Sequence, residues 1–229
     1  MQKVKLHPRE IVESLGPYQL KVIQNKDSYC FSIDSLLLAQ FIKIKNKERV
    51  IDLGTGCGII PLLIYRPQKN NIIYGIEIQE KLASLAKRNV SLNNLEQDIF
   101  ILQGDIKNLK ENFSGEYFDI VTVNPPYIPL GRGKSSSDNE QLIARHELNI
   151  DLNGLMKISS YLLKKGGRLY LIHRADTLIS IITTLKKYCL EPKILQFIYT
   201  KKGMQAKRFL LEARKEGGAE LQVLPPHFL

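Results

Sequence analysis

The sequence predicts an α/β fold: a Rossmann-like, seven-stranded, mostly parallel sheet with helices on both faces and an antiparallel last strand. Short β-branched runs alternate with segments of helical apolar spacing, the pattern of strand-helix-strand units. Several runs end directly in glycine or proline turns. The last two runs are separated only by Thr200–Gln205, too short for a crossover, so they should pair antiparallel.

Taken in order, Asp27–Ala39 runs from a polar turn into an apolar helix that Ser32 or Asp34 can cap. Strands are expected at 49–53, 71–77, 98–102, 118–123, 167–172, 193–199 and 206–213. Helix-like spacing occupies Pro61–Tyr65, Glu80–Asn93, Leu152–Lys164 and Ala175–Tyr188. Lys164-Lys165-Gly166-Gly167 reads as a helix stop, with bases in the last turn and glycines beyond. The whole chain, 1–229, is expected to be one domain: an extension and helix over 1–45, the sheet over 46–215, and a tail over 216–229.

Composition narrows the function. Hydrophobic residues make up 44% of the 229, an ordinary share for a globular chain. No run is long enough to span a membrane and the start lacks a signal-peptide pattern. Cys30, Cys57 and Cys189 fit neither a disulfide framework nor a metal spacing, so no metal and a cytoplasmic setting are expected. The net charge of +10 points to a polyanionic partner, although solubility alone also accounts for such a charge.

Two strand ends carry the chemistry. Arg49–Leu53 runs into Asp52-Leu53-Gly54-Thr55-Gly56-Cys57-Gly58. The spacing is Gly-x-Gly-x-Gly, not the Gly-x-Gly-x-x-Gly of a dinucleotide site, and glycines there admit a ligand close to the backbone. Tight strand-to-helix packing is the competing explanation. Glu77 ends the second strand, where a carboxylate can accept two ribose hydroxyls. Asp105 follows the third strand and can accept from an adenine amino group, with Ile78 and Ile106 flanking the ring. Asp52 can meet a cofactor's amine. These are the acceptors that S-adenosylmethionine requires.

The fourth strand, Phe118–Val123, ends in Asn124-Pro125-Pro126-Tyr127. An amine conjugated to a ring is a weak nucleophile whose two hydrogens lie in the plane. The Asn124 side-chain oxygen and the Pro125 carbonyl can accept both, returning electron density to nitrogen. Proline rigidifies the turn and Tyr127 can stack on the planar target. No strong general base is needed, because methylation itself acidifies the amine.

Asp52–Gly58, Glu77, Asp105 and Asn124–Tyr127 together resemble the class I methyltransferases that act on amino or amide nitrogens, and the likeness covers roughly Asp27 to Pro226. It implies S-adenosylmethionine as cofactor. Ala144-Arg145-His146-Glu147, Phe209–Arg214 and the Gly217-Gly218…Pro225-Pro226 tail are similar to bacterial tRNA adenine-N6 methyltransferases, which modify the adenine 3′ of the anticodon in a valine tRNA. That resemblance implies a tRNA substrate and makes Phe31–Ala39 a cofactor-covering helix with Ser32 and Asp34 near the ligand. Arg132 and Lys134 in the polar loop 131–139, together with Arg145 and His146, become candidate RNA contacts; a local network anchoring the loop explains Arg145 and His146 as well. A monomer is expected.

The alternatives are glutamine methylation of release factors, and N6 or N2 methylation of another nucleic acid. A glutamine amide is also planar with two N–H groups. Release-factor enzymes resemble this chain through Ile128, but they carry a helical N-terminal domain, whereas here the sheet starts near Arg49.

Overall fold

The computed structural model describes residues 6–25, 31–125 and 151–229. The chain opens with a hairpin of β1 (Glu10–Leu15) and β2 (Leu20–Asn25), joined by a Gly-Pro turn with Gln19 at φ 55°. Helix α1 (Ile33–Phe41) follows. Then come β3 (Arg49–Leu53), α2 (Ile59–Ile64), β4 (Ile72–Glu77), α3 (Glu80–Leu92) and β5 (Ile99–Gln103). Helix α4 (Leu109–Asn112) precedes β6 (Phe118–Val123). After α5 (Leu152–Leu162), β7 (Leu163–Arg174), α6 (Leu178–Lys187), β8 (Leu190–Tyr199) and β9 (Arg208–Lys215) complete the principal sheet. Two short strands in the tail, β10 (Gln222–Val223) and β11 (His227–Phe228), run along β8.

The sheet order is β10-β8-β9-β7-β6-β3-β4-β5, with β11 also on β8. Strands β3 through β7 are parallel, and β9 inserts antiparallel between β7 and β8. All seven expected strands are present. The order reverses between β3 and β6, so their carboxyl ends flank the crevice where open α/β sheets bind ligands.

Both faces of the sheet are buried, which explains runs of apolar residues without alternation. Val50, Ile120 and Tyr170 join one core with α1, α2 and α3. Ile51, Phe118 and Leu169 face the other, against α5 and α6.

Four local expectations differ from the structure. The hairpin lay within what reads as an extension; Gly16-Pro17 between two β-rich runs was its signal. The sheet gains β10 and β11, each only two residues long and separated by Pro225-Pro226, too short for any periodicity to show. Helix α5 stops at Leu162, and Lys164–Gly167 belong to β7 instead of a helix cap. The pairing with β6 shifts register there, and a Cβ at Gly167 would come within 2.8 Å of the Lys164 carbonyl oxygen, so the glycine serves the irregularity. Finally, Ser32 occupies the N-cap position of α1 without a side-chain cap bond, and Asp34 sits inside the first turn.

Candidate active site at the carboxyl ends of β3, β4 and β6

Asp52 lies in the sheet opposite Thr122 on β6 and Gly75 on β4. The Thr122 hydroxyl donates to Asp52 Oδ1 at 2.5 Å, and both residues are buried. Thr55 folds back over Gly75, where a Cβ would approach it to 2.9 Å. Asp52 Oδ2 is buried and has no hydrogen-bond partner among the described residues. Burial pushes the Asp52 carboxyl up to about 6 against the opposing Thr122 and Thr55 hydroxyls, and the Glu77 charge adds to the rise. A buried carboxylate oxygen without a donor is expensive and fits an incoming cationic or N–H-bearing group.

The turn after β3 is pinned to β4. Gly54 and Thr55 both donate to the Ile76 carbonyl oxygen, at 3.0 and 2.9 Å. Gly56 N–H donates to Glu77 Oε2 at 2.8 Å, and Gln79 N–H donates to Oε1 at 3.0 Å. The Glu77 carboxylate is thus oriented by two backbone amides from adjoining strand ends. Gly56 has φ 57°, and a Cβ there would meet nothing within 4 Å, which leaves space for a ligand against the backbone. Gly58 behaves differently: its Cβ would crowd the Ala86 Cβ at 3.1 Å, so packing on α3 demands that glycine. Packing thus accounts for Gly58, while Gly56 faces open space.

At the next strand end, Asp105 Oδ1 accepts from Lys107 N–H at 2.9 Å and opens a single 3-10 turn. Ile78 is half-buried beside it in the fold's crevice, whereas Ile106 is packed into the core with Ile51 and Ile76. Ile106 thereby supports the turn from beneath.

Asn124 follows β6 half-buried, and its Nδ2 donates to Ser35 Oγ on α1 at 3.0 Å. This leaves Oδ1 as the acceptor. Asp34, one residue earlier, is buried and pairs with Arg208 at the start of β9, with Nε 2.6 Å from Oδ1 and 2.7 Å from Oδ2. The Asp34 carboxylate therefore ties α1 to the start of β9 across the strand ends. Ser32 is half-buried at the start of the same helix. The structure thus brings Asp52, Gly54, Gly56, Glu77, Ile78, Asp105 and Asn124 to one edge of four neighbouring strands, β6, β3, β4 and β5, and their turns. Pro125 is described as well; Pro126, Tyr127, Arg132, Lys134, Arg145 and His146 lie outside the described residues.

Sequence reasoning missed Ser35, Thr55 and Thr122. Thr122 had a signal: it is a polar residue in an apolar parallel strand, as Asp52 is, and such residues need partners. Asn89 was also missed. Fully buried on α3, its Oδ1 accepts from Ile23 N–H at 2.7 Å and its Nδ2 donates to the Cys57 carbonyl at 3.0 Å, linking the hairpin to the glycine turn. Among the described residues no cluster of side chains is suited to a metal ion, and no helix is long and apolar enough to cross a membrane.

Comparison with known proteins agrees with the fold. Residues 44–214 match the family model described as "Methyltransferase domain". The chain is 27% identical over 179 residues to a tRNA1(Val) (adenine(37)-N6)-methyltransferase of Aeromonas salmonicida, covering 78% of this chain and 73% of the relative. A protein of the same name from Bacteroides thetaiotaomicron is 28% identical over 196 residues, covering 84% and 80%. Among solved structures, a predicted O-methyltransferase from Agrobacterium tumefaciens superimposes with a TM-score of 0.67 at 22% identity, covering 86% of this chain and 87% of that one. The [4+2]-cyclase SpnF also shares the fold, with a TM-score of 0.59 at 14% identity over 80% and 81%. The architecture alone therefore does not select the chemistry. With the family model spanning most of the chain and the class I sheet order on the page, this protein belongs to the methyltransferase-domain family and is an S-adenosylmethionine-dependent methyltransferase.

Proposed function

We propose that the protein methylates the exocyclic N6 of an adenine in tRNA, next to the anticodon of a valine tRNA. The observation that carries this reading is the fixed Asn124 amide at the end of β6. Ser35 holds Nδ2, so Oδ1 is available to accept a hydrogen from a planar amine. The names of the relatives, tRNA1(Val) (adenine(37)-N6)-methyltransferases, supply the nucleotide and the RNA.

The residues present fit the cofactor. The unpartnered Asp52 Oδ2 suits its ammonium, the open backbone at Gly56 admits its chain, the amide-oriented Glu77 suits ribose hydroxyls, and Asp105 with Ile78 suits the adenine. When bound, S-adenosylmethionine supplies a methyl group on sulfonium sulfur, a strong electrophile. The protein's work is then positioning. Asn124 Oδ1 and the Pro125 carbonyl accept the two amine hydrogens, drawing the lone pair out of conjugation. Tyr127 stacks on the base, and Arg132, Lys134, Arg145 and His146 contact the RNA from the segment after it. A target in a single-stranded anticodon loop is cheap to unstack.

Incubation with labelled S-adenosylmethionine and, in parallel, total tRNA from a strain lacking this protein or purified release factors, followed by nucleoside and protein analysis, tests the reading. Labelled N6-methyladenosine is the expected product. Label in a release factor with none in tRNA replaces adenine by a glutamine amide as the substrate.

A further inference from the structure

Strands β7, β8 and β11 end, and β9 begins, along the same edge of the sheet as Asn124. Val123 pairs with Leu171 on β7, Arg174 with Arg208 on β9, and Ile198 with both Arg208 and His227. The carboxyl end of β8 lies three strand spacings from that of β6, and β11 lies four, or about 14 to 19 Å. This distance corresponds to roughly four to six steps of a stacked nucleic-acid strand at about 3.4 Å each.

We propose that this part of the edge, the turn Thr200–Lys207 together with the end of the tail at Phe228, is a docking surface for the anticodon arm of tRNA. The proposal rests on the tRNA reading above and extends it to a region separate from the reacting site.

Charge is the first support. Lys201, Lys202 and Lys207 are exposed, and none makes an ion pair within 4.0 Å among the described residues. The two arginines on this edge are already engaged, Arg174 with Asp176 and Arg208 with Asp34. No Asp or Glu occurs in 192–208 or in 221–229. The lysines therefore form an uncompensated basic patch on the sheet edge that also carries Asn124.

Exposed apolar surface is the second. Phe228 is 47% exposed and packs over the half-buried Tyr199, with centroids 5.6 Å apart and the rings tilted by 35°. Its backbone is fixed by pairing with Tyr199, and Leu229 N–H donates to the Tyr199 carbonyl at 3.0 Å. Met204, 55% exposed, projects from the lysine-bearing turn. The phenyl ring is held by its backbone pairing while half its surface stays open to a partner. Beside phosphate-binding lysines it is a stacking platform for an unpaired base.

Two variants test the surface: the triple change Lys201→Ala, Lys202→Ala and Lys207→Ala, and the single change Phe228→Ala. Each is measured for binding and methylation of unmodified total tRNA across a salt series, with S-adenosylmethionine affinity as the check on folding. The triple variant should bind tRNA more weakly and lower the slope of log affinity against log salt by about 2 to 3. Phe228→Ala should raise the KM for tRNA roughly tenfold. Both should keep kcat at saturating tRNA and cofactor affinity within about twofold. Wild-type tRNA binding and KM in both variants would overturn the docking surface while leaving the adenine reading intact. A wild-type protein that labels release factor and no tRNA would overturn both.

Discussion

Asp52 combines burial with a missing hydrogen-bond donor, and this sets a pH dependence. Its folded value of about 6 lies above the ordinary 3.8, so the ligand-free protein favours the protonated carboxyl between those values. A cofactor ammonium needs the carboxylate. Affinity for S-adenosylmethionine should therefore be level above about pH 6 and fall by up to tenfold per pH unit below it. Thr122→Val removes a donor that favours the ionised form, so the midpoint should move up and binding at neutral pH weaken. Calorimetric titration across about pH 4.5 to 8 reads both effects; a flat profile in wild type would remove Asp52 from the cofactor site. At Asn124 the split is kinetic. Asn124→Ala should abolish turnover while cofactor affinity stays within a few-fold, if its oxygen accepts from the amine as proposed. Ser35→Ala leaves the amide unanchored and should lower kcat by roughly ten- to a hundredfold without loss of cofactor affinity. Full activity in Asn124→Ala would sink the proposed chemistry.

The elements that hold these residues are joined by a few buried polar ties. The hairpin is fastened to α3 by Asn89, by Asn93 on the Lys21 backbone, and by the Arg88–Glu10 pair. Asn89→Ala strands the Ile23 N–H inside the core, at about 1–3 kcal/mol, and removes the tie to the Cys57 carbonyl. The urea midpoint should drop, and cofactor affinity with it, since Cys57 belongs to the glycine turn. The Arg88 bond holds Glu10 down at about 2, below the usual 4.5. Its support for the hairpin is thus present above about pH 4.5 and lost as pH falls toward 2. Across the sheet, Arg168 bonds Glu48, the Lys43 carbonyl and Tyr170, fixing the segment between α1 and β3. Arg168→Ala leaves Glu48 without this partner and should cost about 3–5 kcal/mol in a denaturant titration.

For the whole molecule, two titrations oppose each other. Burial, then the Arg174 charge, lowers His173 from 6.5 to about 4, and its Nδ1 lies 2.6 Å from the Thr177 hydroxyl. Below pH 6.5 the unfolded chain takes up a proton that the folded one refuses, so His173 makes stability rise with pH from about 4 to 6.5. Asp52 does the reverse from 3.8 to about 6. The shifts are similar in size, each equivalent to at most about 3 kcal/mol. The ligand-free protein should therefore show little net slope from these two groups across that range. Asp52→Asn should unmask a clear rise in melting temperature with pH, and an unchanged curve would exclude the opposition. The +10 net charge acts at the same scale: tRNA affinity should fall steeply with salt, and a flat response would point to a protein or small-molecule substrate.

Strand identity and order of use were legible because each parallel strand is an apolar run closed by a turn, as in Arg49–Leu53 with its glycines and Phe118–Val123 with Asn124-Pro125. Local chemistry writes both signals directly into neighbouring residues. The hairpin and tail strands were not legible, since two-residue ladders and a paired extension gain stability only from the surfaces they cover. The sequence by itself determined which groups stand at the strand ends: Asp52, Glu77, Asp105 and Asn124 follow from counting along the runs. Tertiary structure alone decided their partners. It set Thr122 against Asp52, placed Ser35 on the Asn124 amide, gave Asp34 to Arg208 and turned Ile106 into the core. Those contacts join residues 70, 89 and 174 positions apart for the first three. Hydrogen bonds and ion pairs at such separations depend on register and helix placement, which no local pattern encodes.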